Sequence, residues 1–223
     1  MHLNEAMDEF RRGGVIWDVD GTLLDSMPTW HDAGARYLAT LGIEAEPNLG
    51  DILFAETSET GARYMIKRYG LDQSVPEVAE GINEQMKAFY YNEVMPKAGA
   101  ADVLQRMKDA GVPMTVATST DRQCMEPALE RLGMLDYFLQ IYCCREMDTT
   151  KDSPDIFFAA AERMDRKPED VWVIEDGLYS IRTAKAAGFH TVGIYDSVSE
   201  VDQKEIRELT DFYYTNLLEF DLI

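Results

Sequence analysis

The amino-acid sequence predicts an α/β fold, a doubly wound parallel sheet with an inserted helical segment. Three short apolar runs have the length and the β-branched or aromatic composition of buried strands, namely GGVIWD (13–18), VPMTVATS (112–119) and VWVIED (171–176). Two more strands are predicted at HTVGIYD (190–196) and near FLQIYCC (138–144). Helical patterns separate these runs, and strands that alternate with helices form parallel sheets.

Four helical patterns alternate with the predicted strands, at residues 100–111, 124–133, 153–164 and 178–188. Three of the four end in a glycine. The helix at 153–164 is predicted to open with Ser153 as its capping residue, followed by a proline at the first helical position. This alternation of strands and helices is the basis of the predicted core.

The block from residue 27 to residue 95 breaks the alternation. It has helical patterns and no convincing strand, and it separates the first predicted strand from the second. We therefore predict a core domain formed by residues 1–26 and 96–223 and a helical cap domain formed by residues 27–95. A cap that leaves the core beside a ligand site is well placed to cover that site and to select substrates.

The composition is that of an acidic globular protein. Of the 223 residues, 46% are hydrophobic, and no run of about 18 apolar residues suggests a membrane helix. A net charge of −20 disfavours binding to nucleic acid or to an anionic membrane. The stretch MHLNEAMDEFRRGG is polar and lacks an apolar signal core, which indicates the cytoplasm. No isolated apolar stripe requires a partner subunit, so a monomer is expected.

The cysteines Cys124, Cys143 and Cys144 form a sparse set without metal-ligand spacing. The adjacent pair Cys143 and Cys144 could act in redox chemistry. We favour the simpler interpretation that both are small apolar side chains filling a strand.

Acidic side chains end two of the predicted strands. In a doubly wound sheet the ligand site lies beyond the carboxyl ends of the strands, so Asp18, Asp20, Glu175 and Asp176 would bring up to four carboxylates together. Without a partner they could not all stay ionised at low dielectric. A hard divalent cation with oxygen ligands resolves this repulsion. Mg²⁺, which takes one or two carboxylates, waters and a substrate phosphate, is the expected cofactor.

Other polar residues in the chain suit a phosphate bound beside this metal. Lys151 would supply positive charge to the phosphate oxygens. Thr118 and Ser119, at the end of the second predicted strand, would supply hydrogen-bond donors to the same oxygens. These three residues are therefore candidate substrate-binding residues.

Two aspartates of the segment WDVDGTLLDS (17–26) could have different roles. Alternate residues at a strand end point to the same side, so Asp18 and Asp20 can both face the site. One carboxylate could attack phosphorus, while the other protonates the leaving oxygen and later deprotonates the incoming water. Gly21 would let the chain turn sharply and approach the ligand closely, which makes it a candidate phosphate-binding position.

Four segments together are similar to those of a known family. DVDGTLLDS, VATST, KDSPDIF and VIEDGLYSIRTAKAAGF occur in this order and span roughly residues 14 to 195. The chain resembles the haloacid dehalogenase superfamily of phosphohydrolases, and its helical insert resembles the α-helical cap class of that superfamily. In pattern it is most similar to the β-phosphoglucomutase-like branch.

The resemblance implies a role for each acidic residue. Asp18 matches the nucleophile, which becomes an aspartyl phosphate and also binds magnesium. Asp20 matches the general acid and base, with its backbone carbonyl as a magnesium ligand. Asp176 matches an acidic magnesium ligand, with Glu175 as a second ligand or as the acceptor for a metal-bound water.

The resemblance also assigns the residues that hold the phosphoryl group. Thr118 matches the hydroxyl that binds this group, with Ser119 beside it. Lys151 matches the lysine that balances charge between the nucleophile and the phosphate. Superfamily members that release halide or hydrolyse phosphonates lack the second aspartate, so Asp20 favours an alcohol-type leaving group. We predict a magnesium-dependent phosphatase that hydrolyses a small phosphorylated metabolite, a phosphomonoester, through an aspartyl-phosphate intermediate.

Two alternatives stay open. A sugar-phosphate mutase of the β-phosphoglucomutase type would need a cap cation for a second phosphate, yet no lysine or arginine lies between Arg36 and Arg63. The resemblance also places a histidine of such mutases at position 30, where this chain has Trp30 followed by His31. A non-catalytic binding module with the same fold is the third possibility, and the complete catalytic set argues against it.

Overall fold

A computed structural model describes residues 9–54 and 56–222 of the chain. These residues divide into two compact units. The first unit contains the described residues up to Asp25 and those from Val94 onward, and the second contains the described residues of Ser26–Glu93. None of the helices in the described ranges is both long enough and apolar enough to cross a membrane.

The first unit is built on a parallel sheet. Its described strands are β1 (Val15–Trp17), β2 (Met114–Thr118), β3 (Ile141–Cys143), β4 (Trp172–Glu175), β5 (His190–Ile194) and β6 (Phe212–Tyr214). They are ordered β3-β2-β1-β4-β5-β6, and every neighbouring pair is parallel. The predicted fold class, a doubly wound parallel α/β sheet, is confirmed.

Helices contain most of the remaining regular structure in the described residues. The second unit carries α1 (Met27–His31), α2 (Ala33–Thr40), α3 (Leu49–Phe54), α4 (Ser58–Tyr69) and α5 (Val75–Asn92). The first unit carries α6 (Ala100–Asp109), α7 (Arg122–Arg131), α8 (Asp155–Arg163), α9 (Leu178–Ala186) and α10 (Gln203–Leu209). The four helices predicted between the strands correspond to α6 to α9.

Helix packing against the sheet explains why the central strands are continuous apolar runs. Every residue of β1, β2 and β4 is buried, as is typical of parallel strands covered on both faces. One core cluster joins Ile16, Ala117 and Val173 of these strands to Ile156 and Phe157 of α8. Each fully buried Ile, Val or Phe side chain of this cluster stabilises the fold by about 1.5–3 kcal/mol. The strand ends that carry the acidic residues are therefore held by a well-packed core.

The structure differs from the sequence prediction at two places in the first unit. The strand β6 was not predicted, because its three residues lie at the sheet edge, are only half-buried and show no alternation. The predicted cap Ser153 is wrong, since α8 is capped by Pro154 without a side-chain hydrogen bond. Ser153 Oγ instead donates to Asp155 Oδ2 at 2.8 Å.

The second unit has helices and no strand among its described residues. Its core contains Tyr37, Leu38, Leu49, Met65 and Val78, all buried. These side chains come from α2, α3, α4 and α5, so the helices of this unit share one apolar core. The unit therefore has its own packing, distinct from that of the sheet.

Local signals set the ends of the two longest helices of this unit. Thr57 caps α4 through a capping box with Thr60, and Ser74 caps α5 through a box with Glu77. Such pairs satisfy amide groups that have no partner within the helix. Gly70 ends α4 with a φ of 65°, a left-handed conformation that glycine adopts without a steric penalty.

Candidate active site

The carboxyl ends of β1 and β4 bring three carboxylates together. Trp17, the last residue of β1, pairs with Ile174 of β4, and the backbone N–H of the next residue, Asp18, donates to the carbonyl of Ile174 at 3.0 Å. Glu175 ends β4 and Asp176 follows it. One oxygen of each of the three carboxylates lies within 4.8 Å of the other two, and all three residues are buried. Sheet register thus produces the cluster that the strand ends predicted.

Burial makes this cluster electrostatically unfavourable. It raises the pKa of Asp18 to about 8, with further contributions from Glu175 and Asp20, while Lys151 opposes the change. Burial also raises the pKa of Asp176 well above its usual value, and the neighbouring carboxylates of Glu175 and Asp18 raise it further. Carboxyl groups placed this way favour protonation unless a cation compensates their charge.

Lys151 supplies part of that compensation. Its side chain is buried, and Nζ donates to Asp18 Oδ1 and to Glu175 Oε2, the latter at 2.8 Å. Burial by itself lowers the pKa of Lys151, but the charges of Asp18 and Glu175 outweigh it and raise the pKa well above its usual value. The ammonium is therefore permanently charged at neutral pH.

The donor set of this cluster fits a hard divalent cation. Three ionised carboxylates against the single ammonium of Lys151 leave two uncompensated negative charges in a buried site. Oxygen ligands at this spacing suit Mg²⁺. Asp176 has one further contact, because Thr22 Oγ1 donates to its Oδ1 at 3.3 Å. The charge and chemistry of the cluster thus match the metal that the sequence suggested.

Asp20 lies two residues beyond Asp18 and is less buried. Its Oδ2 accepts a hydrogen bond from Thr120 Oγ1 at 2.7 Å. The sequence interpretation did not assign Thr120 a role, although it is the last hydroxyl of the quoted segment VATST. Thr118 and Ser119 are the predicted phosphate donors of this segment, and only the folded chain shows that Thr120 contacts the second aspartate.

Gly21 shapes the turn that carries Asp20. Its φ is 81°, a region that a residue with a Cβ rarely adopts. Its N–H donates to the carbonyl of Leu24 at 3.0 Å, and its carbonyl accepts from Lys97 Nζ at 2.6 Å. Both backbone polar groups of Gly21 therefore have partners within the protein.

The hydroxyls of Thr118 and Ser119 have different surroundings. Thr118 is fully buried, and its Oγ1 accepts from the N–H of Thr120 at 3.1 Å. Ser119 is exposed, and its Oγ lies 3.8 Å from Cys144 Sγ. Cys143 and Cys144 are both buried free thiols, and burial raises the pKa of Cys143 to about 12. The two thiols stay protonated and form part of the packing.

A second buried ion pair lies near this site and was not foreseen. Lys97 Nζ contacts Asp196 Oδ2 at 2.8 Å, and the Asp196 side chain is only 3% exposed. The charge of Asp196 raises the pKa of Asp176, whereas that of Lys97 lowers it. Neither residue belongs to a sequence motif that we recognised. Their proximity depends on the fold, because Asp196 lies 99 positions after Lys97 in the chain. The carbonyl of Tyr195, one position earlier, also accepts a hydrogen bond from Lys97 Nζ.

Comparison with known proteins identifies the family. Residues 13–188 match the haloacid dehalogenase-like hydrolases. Because this match covers most of the chain, the protein belongs to that family. The family resemblance and the hydrolase class predicted from the sequence are confirmed.

Curated relatives and solved structures are similar over most of their length. The phosphorylated carbohydrates phosphatase of Thermotoga maritima is 26% identical over 190 residues, which cover 83% of this chain and 87% of the relative. The fructose-1-phosphate phosphatase YqaB of Escherichia coli is 28% identical over 184 residues, 82% of this chain and 97% of the relative. The structure of CbbY from Rhodobacter sphaeroides in complex with phosphate has a TM-score of 0.72 at 22% identity and covers 93% of this chain and 95% of its own. This last similarity supports the fold.

Proposed function

We propose that this hydrolase is a magnesium-dependent phosphatase, which hydrolyses a small phosphomonoester through an aspartyl phosphate on Asp18. The observation that carries the proposal is the contact of Lys151 with Asp18 beside Glu175 and Asp176. A lysine that orients one carboxylate within a cluster able to hold a divalent cation is suited to phosphoryl transfer, where catalysis is mostly positioning and charge stabilisation. Two further carboxylates at the same place would have no purpose in a merely structural ion pair.

Asp18 and Asp20 would share the chemistry. Lys151 holds Oδ1 of Asp18, and the other oxygen would attack phosphorus, so that an O–P bond forms while the bond to the leaving oxygen breaks. Asp20 would give its proton to that leaving oxygen. In the second step Asp20 would take a proton from water, which attacks phosphorus and releases inorganic phosphate and the free Asp18 carboxylate. The bond from Thr120 keeps Asp20 oriented.

The remaining predicted residues would bind the metal and the phosphate. Mg²⁺ held by Asp18, Glu175, Asp176 and the backbone carbonyl of Asp20 would supply the positive charge that a phosphate needs in a protein of net charge −20. The phosphate oxygens would accept hydrogen bonds from the hydroxyls and the ammonium at the strand ends, those of Thr118, Ser119 and Lys151. Gly21 would contribute by its turn, since no side chain obstructs the approach of the phosphate.

The helical unit supports hydrolysis over the mutase alternative. A mutase needs a cation for a second phosphate. Four of the five lysines and arginines of this unit contact carboxylates, the fifth being Lys67: Arg36 with Glu93, Arg63 with Glu59, Arg68 with Glu46 and Lys87 with Glu84. His31 contacts Asp51 at 3.0 Å and Asp32 at 3.3 Å, and the hydrogen bond to Asp51 is the main reason why its pKa is raised. A histidine held in this way is poorly suited to exchange protons with a substrate.

The substrate class and the setting of the enzyme are also proposals. Relatives named for phosphorylated carbohydrates and fructose 1-phosphate support a phosphorylated carbohydrate as substrate. We propose that residues 27–95 act as a cap domain that selects this substrate. We also propose a cytoplasmic monomer, and the acidic composition supports a protein that binds neither nucleic acid nor an anionic membrane.

A substrate panel tests the proposal. Purified protein is incubated with phosphomonoesters, including sugar phosphates, with Mg²⁺ or with a chelator, and inorganic phosphate is measured. Release is expected with Mg²⁺ only, and Asp18→Asn should reduce kcat by on the order of 10⁶-fold, as is typical when a covalent nucleophile is lost. Asp25→Asn, an exposed aspartate of the same segment, is the matched control and should stay active.

Two outcomes would contradict the proposal. Absence of phosphate release from every substrate would exclude a phosphatase. Isomerisation of a hexose 1-phosphate that depends on a bisphosphate activator, without net release of phosphate, would favour the mutase instead.

A further inference from the structure

The ammonium of Lys97 has an unusually complete set of hydrogen-bond acceptors. An ammonium has three N–H donors, and all three have acceptors here: the carbonyl of Gly21 at 2.6 Å, the carbonyl of Tyr195 at 2.8 Å and Asp196 Oδ2 at 2.8 Å. Gly21 follows β1, and Tyr195 and Asp196 follow β5. Because β4 lies between β1 and β5, this side chain joins two strand ends that are not neighbours in the sheet.

The backbone around Lys97 holds the same turn from a second direction. The N–H of Lys97 donates to the carbonyl of Leu23 at 2.8 Å, and the N–H of Asp25 donates to the carbonyl of Met95 at 2.9 Å. Lys97 therefore binds two carbonyls of the segment that begins at Asp20, one through its N–H and one through Nζ. The segment also holds its own turn, because the N–H of Gly21 donates to the carbonyl of Leu24, and Lys97 adds contacts from outside the segment.

Asp196 completes the arrangement on the other side. Its Oδ2 accepts from Lys97, and its Oδ1 accepts from the N–H of Val198 at 2.9 Å. The Lys97 side chain is 16% exposed and that of Asp196 only 3%. A buried ion pair is weak evidence for stability, because the cost of desolvation offsets the attraction between the charges. The pair is better explained by its position, because it holds Lys97 against the carbonyl of Gly21, the residue after Asp20.

We propose that Lys97, anchored by Asp196, is a positioning residue that fixes the turn carrying Asp20 for its work as general acid. The inference rests on the proposed phosphatase function. Thr120 holds the carboxylate of Asp20, and Lys97 holds the backbone of the next residue. Side chain and backbone together determine where the proton is delivered. A displacement of about 1 Å in a catalytic group can cost on the order of 10²-fold in rate.

The test uses two substrates that differ in their need for an acid. An alkyl phosphate needs a proton on its leaving oxygen, whereas a nitrophenyl phosphate releases a stable anion. For Lys97→Met, kcat/KM should fall at least about tenfold more for the alkyl phosphate than for the nitrophenyl phosphate, since general acid catalysis contributes about 10²–10⁴-fold. The ratio of the two values from one preparation does not depend on the folded fraction, so a loss of stability alone cannot imitate this result.

Three variants accompany this measurement. Asp20→Asn should show the same preference for the nitrophenyl phosphate, more strongly. In Asp196→Asn, Lys97 keeps its hydrogen bonds to the carbonyls of Gly21 and Tyr195. This variant should therefore show the preference to a smaller extent. It replaces Lys97→Met in the test if Lys97→Met does not fold. Lys185→Met, which removes an ion pair with Asp211 at the amino end of the same sheet, should leave the ratio unchanged.

The outcomes separate the two proposals. If Asp20→Asn shows the preference and both Lys97→Met and Asp196→Asn keep the wild-type ratio, the positioning role is refuted and the phosphatase stands. If the wild-type protein releases phosphate from neither substrate, the proposed function fails, and the role of Lys97 fails with it.

Discussion

The two ends of the same parallel sheet have opposite chemistry. At the amino end, Trp172 opens β4 and packs edge-on against Phe10 at 5.2 Å between ring centroids, and it stacks on His190 at 4.5 Å and on Phe212 at 5.4 Å. At the carboxyl end, the same strand finishes in Glu175 and contributes to a buried cluster of carboxylates. Only two residues lie between Trp172, with its aromatic contacts, and Glu175, with its charged ones.

This difference shows how one sheet provides both stability and reactivity. Aromatic side chains bury large surfaces and add favourable ring contacts, so they stabilise the fold. Buried carboxylates of like charge destabilise it unless a cation is present. The aromatic contacts at the amino end therefore offset the cost of the buried carboxylates at the carboxyl end. Variants at the two ends should separate activity from stability.

The largest expected effect is on activity, at the carboxyl end. Asp20→Asn removes the proposed acid and base, and kcat for an alkyl phosphate should fall by about 10²–10⁴-fold. The melting temperature should change little, since Asp20 is only partly buried. Steady-state kinetics and thermal unfolding of the same preparation check both statements. Activity close to that of Asp25→Asn would remove Asp20 from the mechanism.

At the amino end the expected effect is on stability. Trp172→Ala should lower the free energy of unfolding by about 3–5 kcal/mol, because it leaves a cavity beside Phe10 and Phe212. The kcat per folded molecule should not change. Denaturant unfolding measures the first quantity and active-site titration the second. Trp172→Phe, which keeps an aromatic ring, is the matched control. A large fall in the kcat of folded Trp172→Ala would show that the amino end of the sheet also affects catalysis.

A smaller effect on activity is expected from Thr120. Thr120→Val removes the hydrogen bond to the Asp20 carboxylate, and a bond to a charged group contributes about 1.5–3 kcal/mol. The value of kcat/KM for an alkyl phosphate should therefore fall by roughly 10–100-fold. Thr40→Val, which removes a hydroxyl bonded to a backbone carbonyl in the helical unit, should have normal kinetics. Equal kinetics for the two variants would show that Asp20 is oriented without Thr120.

The last expected effect is the pH dependence of stability without metal. The raised pKa of Asp18, about 8, means that the folded state holds a proton that the unfolded state releases near pH 4. Between these values the folded state binds more protons, so stability falls as the pH rises. In a chelator, the melting temperature should therefore decrease from pH 5 to pH 8, a range that lies between those two pKa values.

Mg²⁺ and a variant provide the controls for this pH experiment. Mg²⁺ should flatten the slope, because it stabilises the ionised carboxylates of the cluster. Asp18→Asn in the chelator should also reduce the slope, since the variant cannot titrate at this position. A melting temperature that rises over this pH range in the chelator would contradict the charge assignment of the cluster.

Much of the fold could be predicted from the sequence because its signals are local. The buried strands are short apolar runs, and most of the helices between them end in glycine. The strand β6 could not be predicted in the same way, because Phe212–Tyr214 is a half-buried edge strand that depends on pairing with β5. At Ser153 the local signal for a helix cap is good, but in the structure Pro154 is the capping residue.

The amino-acid sequence is enough to show which groups are available for chemistry and which strand ends carry them. Asp18, Asp20, Glu175 and Asp176 could be assigned to one site because the carboxyl ends of parallel strands meet at one edge. The polar groups that hold these carboxylates are visible only in the folded chain. The contacts of Thr120 with Asp20 and of Lys97 with Gly21 and Asp196 join residues 76 to 100 positions apart. No local pattern encodes such contacts, because they follow from how the core packs and not from the neighbouring residues.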